Sequence, residues 1–309
     1  MPEAVILIEP DGSIGYANLA AEGLLRSDPA IAVSLGRGGS PEFSIHHPTL
    51  RTYRSTIVDI EQNRKVAVIH DVTEARRLEA MRRDLVGDVS HELKTPVAGI
   101  LATAETLQIS MSDDPESSER FVTSLVREAQ RLSRLVEDLL DLARVEQHHP
   151  AGSIVDMAAV VRREASQALS MAKDKGLSLD IDIDEGIDVL GHEGDLALAV
   201  RNLLVNAVRY TEVGGATVRL HRSEPHAVLE VTDSGVGIPT RDLPRIFERF
   251  YRVDKARSRE TGGTGLGLSI VKHVVERHGG SVTAESSLDQ GSVFRLKLPL
   301  AQEISATDQ

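Results

Sequence analysis

The chain has 309 residues, 41% of them hydrophobic and 27% charged, which is room for two or three domains with real cores. Its formal net charge of −12 argues against general nucleic-acid binding, because phosphate neutralisation needs Lys and Arg in excess. The absence of Cys excludes disulfides, thiolate catalysis and Cys-ligated zinc or iron–sulfur centres, and aromatics at 3% predict cores of Leu, Val, Ile and Ala.

Residues 1–73 read as a small sheet-containing domain. AVILI (Ala4–Ile8) is a strand, but Glu9, Pro10 and Asp11 follow at once. That run is far short of the roughly 20 apolar residues of a bilayer span, and no basic start with a longer apolar core marks a signal peptide. The expectation is a cytoplasmic chain without a transmembrane segment, with recruitment to a membrane by another protein left open. Ile14–Tyr16 returns as a second strand after the PDGS turn, and Asn18 is placed to cap a helix through LAAEGLL. Residues 28–41 read as a loop, and Tyr53–Ile60 and Lys65–Asp71 as strands of a hairpin around Glu61-Gln62-Asn63. His46 and His47 read as loop histidines rather than haem or metal ligands. The order strand, strand, helix, loop, antiparallel strands resembles a shortened PAS sensor domain, and HDVTEARRLE (His70–Glu79) resembles the exit of such a domain into a signalling helix. A dimerisation cap is the alternative.

Residues 74–149 read as a helical hairpin. Leu78, Leu85, Val89, Leu93, Pro96, Ile100 and Leu107 form a coiled-coil-like stripe. His91 falls on the opposite, wet face, with Glu92 next to it and Thr95 one turn on. Pro96 removes a backbone donor and predicts a kink, with the Glu92 carbonyl unpaired. SDDPESS (Ser112–Ser118) breaks the helix, and Phe121, Leu125, Leu132, Leu135, Val136, Leu139 and Leu142 mark the second one. Two helices with one apolar stripe each cannot enclose a core, so two copies are expected to form a four-helix bundle, a homodimer. Gln147–Gly152, with His148 and His149, reads as a hinge.

Residues 150–300 alternate strands and helices as an α+β sandwich does, with 301–309 a tail. The expected elements are a helix over Val155–Lys175, a strand at Leu177–Asp184, a helix over Gly191–Tyr210 with Leu196, Val200, Leu203 and Ala207 facing inward, strands at Thr217–Leu220 and Val228–Thr232, a helix over Thr264–His278, and closing strands at Ser281–Glu285 and Val293–Leu298.

Three stretches of this part carry chemistry. In NLLVNAVRYT, Asn202, Asn206, Arg209 and Tyr210 line one helix edge, a row able to hold a hydrated cation and a phosphate; an amide oxygen is a hard ligand that suits Mg²⁺. In DSGVGI (Asp233–Ile238), Asp233 can accept from an exocyclic amino group, and Gly235 and Gly237 let a flat ring approach the backbone. In GGTGLGLSI (Gly262–Ile270), Gly263, Gly265 and Gly267, interleaved with Thr264, Leu266 and Leu268, run into a helix whose free N–H groups suit phosphate oxygens. No Gly-Lys-Ser/Thr follows, so it is not a Walker A loop. Arg252–Thr261, with Lys255, Arg257 and Arg259, reads as a lid, anchored by Phe247, Phe250 and Tyr251.

In this order the motifs resemble those of the sensor histidine kinases of two-component systems: SHELKTP is similar to the phosphoacceptor box, and NLLVNAVRYT, DSGVGI, RIFERFYR and GGTGLGL to the four ATP-domain boxes. The resemblance covers about residues 75–300. It implies an α+β multidomain fold: a dimeric helical hairpin and a Bergerat-type α/β sandwich. It further implies ATP and Mg²⁺ as cofactors, Asp233 on adenine and Asn206 on the metal. His91 is then the phosphoacceptor and Glu92 its general base, with Arg252 and the lid cations on the transferring phosphoryl group. The next acceptor is an aspartate of a response-regulator protein, and Thr95 supports hydrolysis of that phospho-aspartate. Rival readings are another ATPase of the same superfamily, an anti-sigma-type serine kinase and a non-enzymatic scaffold. The first two lack an upstream SHELKTP hairpin, and the intact Asn206, Asp233 and glycines oppose the third.

Overall fold

A computed structural model describes residues 3–28, 31, 35, 42–46, 50–110, 115–147, 152–253 and 263–301. The readings for His47, for His148 and His149, for most of the 28–41 loop, for Lys255, Arg257, Arg259 and Gly262, and for the stripe side chains of Leu78 and Leu85 fall outside the described residues. The chain divides into two compact units, Met1–His91 and Glu92–Gln309.

The first unit is built on β1 (Ala4–Ile8), β2 (Ile14–Ala17), β3 (Glu42–His46), β4 (Leu50–Ile60) and β5 (Arg64–Asp71), in the antiparallel order β2-β1-β5-β4-β3. Alternation along β1 buries Ala4, Ile6 and Ile8 against Ala21, Ile45, Tyr53, Ala67 and Ile69. Asn18 caps α1 (Leu19–Ser27) as expected: its Oδ1 accepts the N–H groups of Ala21 (3.0 Å) and Val5 (3.1 Å), which ties the helix start to the sheet. β3 was not anticipated, and His46 ends that strand instead of lying in a loop. On the open face, register aligns Tyr16, Leu7, Val66 and Val58 in one row across β2, β1, β5 and β4.

α2 (Thr73–Ser110) continues through Pro96 without ending there. Val89, Leu93, Ile100 and Leu107 are half-buried, Pro96 is buried and His91 is exposed, as the stripe predicts. α3 (Pro115–Gln147) opens on Pro115, where a missing N–H costs nothing, and buries Leu135, Leu142 and Val145. Val97, Leu101, Val122, Val126, Val136 and Leu140 of this hairpin remain exposed.

The rest of the second unit is a five-stranded sheet of order β11-β12-β10-β9-β7: β7 (Ser178–Ile183), β9 (Gly215–Ser223), β10 (His226–Asp233), β11 (Ser281–Ser287) and β12 (Gly291–Pro299). Only β7 and β9 pair in parallel; the others are antiparallel. α4 (Met157–Asp174), α5 (Glu193–Tyr210) and α6 (Gly267–Arg277) cover one face. Leu196, Val200, Leu203 and Ala207 of α5 are all buried in that layer. The opposite face carries a charged row of Asp182, Arg219, Glu230, Arg295 and Glu285, linked by Arg219–Asp182 (2.8 Å) and by Arg295 to both Glu230 and Glu285. Two expectations need correction. The helix expected from Val155 begins at Met157, because Ser153–Asp156 forms a strand, β6, that pairs with β8 (Asp188–Gly191); Asp156 then caps α4. The helix expected from Thr264 begins at Gly267, because Gly265 takes a φ of +80° that a helix does not contain.

Candidate functional site

One cavity of about 840 Å³ lies in the second unit, at the end of the sheet where β10 and α5 both finish. α5 supplies its wall. The buried stripe fixes the helix rotation, so Asn202, Asn206, Arg209 and Tyr210, at positions i, i+4, i+7 and i+8, share the cavity edge. Asn202 Nδ2 donates to Leu198 O (2.9 Å), which leaves its Oδ1 beside Gly267; a Cβ there would stand 2.7 Å from that oxygen and displace the Asn202 amide. Among the described residues no cluster of three or more His, Asp or Glu could hold an ion alone. Asn206 lines the cavity, and an amide oxygen fits a hard cation that brings phosphate and water ligands of its own.

The end of β10 supplies the floor. Asp233 is buried, and Gly235 N–H donates to its Oδ1 (2.9 Å). Burial pushes the Asp233 carboxyl above the ordinary carboxylate range, while the backbone N–H groups of Gly235 and Ser292 pull against it. Gly237 and Ile238 line the cavity; Gly235 does not, and packs against the Tyr210 carbonyl and Asp233.

The third wall is the glycine segment, with Gly263, Thr264, Gly265, Gly267 and Leu268 lining the cavity and Leu266 fully buried beneath. Phe250 N–H donates to Gly265 O (2.9 Å), which ties Phe250 to the glycine segment. Tyr251 donates its hydroxyl proton to Asp242 (2.7 Å) and lies under the Arg245 guanidinium at 4.3 Å from the ring centre, a cation–π anchor for the same end. Arg252 also lines the cavity. The first N–H groups of α6 open on this side, the arrangement that favours an anion.

The cavity thus gathers thirteen of the fifteen nucleotide-site residues expected from sequence; Gly235 and Leu266 are not among its lining residues. His91, Glu92 and Thr95 are not among its lining residues; they lie along α2, His91 and Thr95 both exposed. Glu92 lies 3.5 Å from the guanidinium of Arg131, a buried residue of α3 that sequence reasoning passed over.

Sequence reasoning also missed the contribution of α3 to the cavity, where Arg134, Glu137, Asp138 and Asp141 line one side. Thr264 donates its hydroxyl proton to Asp138, Arg201 meets Asp141 at 3.2 Å and Arg249 meets Glu146 at 3.2 Å. Burial raises the Asp138 carboxyl and nearby Asp141 adds to the rise; the Thr264 hydroxyl, Arg209 and Arg201 oppose it. Sequence offered only acidic positions on the polar side of an amphipathic helix.

Two family profiles match the chain: the His Kinase A (phospho-acceptor) domain over residues 81–148, and the histidine kinase-, DNA gyrase B- and HSP90-like ATPases over residues 191–302. The sensor-like histidine kinase SenX3 of Mycolicibacterium smegmatis is 42% identical over 79% of this chain and 64% of its own, so the chain spans less than two thirds of that relative. The phosphate regulon sensor protein PhoR of Pseudomonas aeruginosa is 35% identical over 98% of this chain and 73% of its own. Among solved structures, the histidine kinase ThkA in complex with the response regulator protein TrrA aligns over 98% of this chain and 97% of its own with a TM-score of 0.57. At 20% identity that alignment speaks to fold alone.

Proposed function

We propose that this chain, which belongs to the sensor histidine kinases of two-component systems, moves the γ-phosphoryl group of ATP to its own His91 and then to an aspartate of a response-regulator protein. The observation that carries the proposal is the convergence of three separated stretches, Asn202–Tyr210, Asp233–Ile238 and Gly263–Leu268, on one cavity. Base and phosphates have distinct chemical ends there. Asp233 accepts from the adenine amino group, while Asn206, Arg209, Arg252 and the start of α6 face the phosphates.

Mg²⁺, when bound through Asn206, supplies positive charge to the phosphate oxygens. A ring nitrogen of His91 forms the new N–P bond as the bond from the γ-phosphorus to the ADP oxygen breaks. The ring proton passes to Glu92. The Arg131 guanidinium at 3.5 Å fixes where that carboxylate points, so Arg131 is a positioning residue for the base. Only a neutral imidazole ring has a nitrogen lone pair with which to attack. Thr95, one turn beyond His91, orients the water that removes the phosphoryl group from the regulator.

The exposed apolar residues of the hairpin, Leu101 and Leu140 among them, support a homodimeric four-helix bundle. The strand, strand, helix, antiparallel strands order of the first unit supports a PAS-like sensor at 1–73, followed by the hairpin at 74–149 and the ATP-binding part at 150–300. No helix among the described residues is long and apolar enough to cross a membrane. A cytoplasmic site of action goes with this reading.

The test is radiolabelling of the full chain with γ-labelled ATP. Wild type is expected to gain an acid-labile, alkali-stable label, and His91→Gln to lose it while still binding ATP. Label that survives in His91→Gln places the acceptor elsewhere.

A further inference from the structure

The corner between β11 and β12 holds a chain of hydrogen bonds whose direction follows from counting protons. Ser286 Oγ lies 2.7 Å from Gly291 O, and a carbonyl has no proton, so the Ser286 hydroxyl donates there. Ile238 N–H donates to the same Oγ at 2.8 Å. Ser286 Oγ also meets Ser292 Oγ at 3.0 Å. The one proton of Ser286 is already committed, so Ser292 is the donor in that contact. Ser292 Oγ then has only lone pairs left for the cavity.

Ser292 stands directly opposite Asp233 in the β10–β12 register, and side chains of such a pair share one face of the sheet with Cβ atoms about 5 Å apart. Both are more than nine-tenths buried and both line the cavity. The corner therefore presents two acceptors side by side, a carboxylate and a hydroxyl oxygen whose proton is turned away.

We propose that Ser286 is a specificity-determining positioning residue: by taking the Ser292 proton it makes this corner a double acceptor, which accepts both N–H bonds of a 6-amino purine and repels a 6-oxo purine. The proposal rests on the cavity's reading as a nucleotide site with the base at Asp233. It adds a residue that need not touch the nucleotide and acts through the Ser292 hydroxyl.

The test is equilibrium titration of the full chain with ATP, inosine triphosphate and purine riboside triphosphate, which has hydrogen at position 6. Wild type is expected to prefer ATP over both. Ser286→Ala frees the Ser292 proton to point into the cavity, so the preference for ATP over inosine triphosphate is expected to fall about five-fold or more, the worth of a hydrogen bond, with purine riboside triphosphate unchanged. In a Ser292→Ala background, Ser286→Ala is expected to change the preference no further, and Ser292→Thr to retain it. Equal weakening toward all three nucleotides in Ser286→Ala makes Ser286 a structural residue and overturns the proposal, as does a shift in preference that persists without the Ser292 hydroxyl. Asp233→Asn separates the two levels: if it leaves the preference of ATP over purine riboside triphosphate intact, the base does not sit at Asp233 and the underlying reading falls as well.

Discussion

The sheet of the first unit carries Tyr16, Leu7, Val66 and Val58 in a row across its open face, where the sheet of the second carries Asp182, Arg219, Glu230, Arg295 and Glu285. Tyr16 and Val58 are more than half exposed. Both sheets have five strands, yet the second is covered by α4, α5 and α6, while α1 is the one helix of at least two turns packed on the first among the described residues. An apolar open face still has surface to remove from water, so its stability responds to whatever comes to lie on it. A charged face is already complete in water. The adaptable sheet belongs to the unit read as a sensor, and the finished one holds up a cavity whose side chains must keep fixed spacing.

The largest test of that contrast is a matched pair of core truncations. Leu203→Ala in α5 and Ile6→Ala in β1 remove side chains that are 1% and 0% exposed, and each is expected to cost about 3 kcal/mol locally. In calorimetry, Leu203→Ala should lower the transition that ATP raises, and Ile6→Ala should lower a separate one and leave ATP affinity unchanged. A single shared transition, falling equally in both variants, would break the contrast.

Next in size is the cavity. Asn206→Asp exchanges a neutral amide for a charge facing phosphates, and Mg-ATP affinity is expected to fall about 30-fold, roughly 2 kcal/mol. The Tm of the first unit's transition should not move; if it does, the two parts do not fold as separately as their sheets imply.

A smaller effect concerns Asp138. Its carboxyl is raised by burial, with Asp141 adding to the rise and the Thr264 hydroxyl only partly offsetting it. A raised folded value means that its contribution to stability is complete below the ordinary carboxylate pKa of about 3.9 and is lost as pH rises through the raised value. The contact of α3 with the glycine segment should therefore loosen with rising pH, and Asp138→Asn should remove that dependence. Hydrogen exchange of the Leu266 amide across the acidic range reads it, and an identical profile in both proteins would count against it.

The smallest effect is on the charged row itself. Arg295→Met removes the side chain that joins Glu230 to Glu285, and is expected to cost less than about 1 kcal/mol, with the loss shrinking at high salt because exposed pairs are screened. A larger, salt-independent loss would mean that the open face is part of the core.

Much of this was legible residue by residue. The spacing of Leu196, Val200, Leu203 and Ala207 put α5 in the right rotation, and from that rotation Asn202, Asn206 and Arg209 had to share an edge. Asn18 announced the start of α1 because its short side chain reaches a free N–H only there. What escaped has physical reasons. Ser153–Asp156, Asp188–Gly191 and Glu42–His46 are strands of four or five residues, too short to display a period; the first two pair with each other across an intervening helix and strand, and the third pairs with the neighbouring β4. Gly265 spoiled the first turn of an expected helix through its backbone angle, which no hydrophobic pattern records. The approach of Asp138 to Thr264 joins residues 126 apart, and Arg131 meets Glu92 across two helices. Such pairs are set by packing and leave no mark on local spacing.

The charged row of the second sheet has a further consequence at its ends. It begins in Asp182 on β7 and finishes in Glu285 on β11, the two outer strands. An outer strand has unpaired N–H and C=O groups that can recruit the edge of another sheet. Here any two edges, in either combination, would bring carboxylate to carboxylate. Two copies joined through their hairpins would hold these domains at high local concentration, and the acidic rims would keep their sheets from growing into one another.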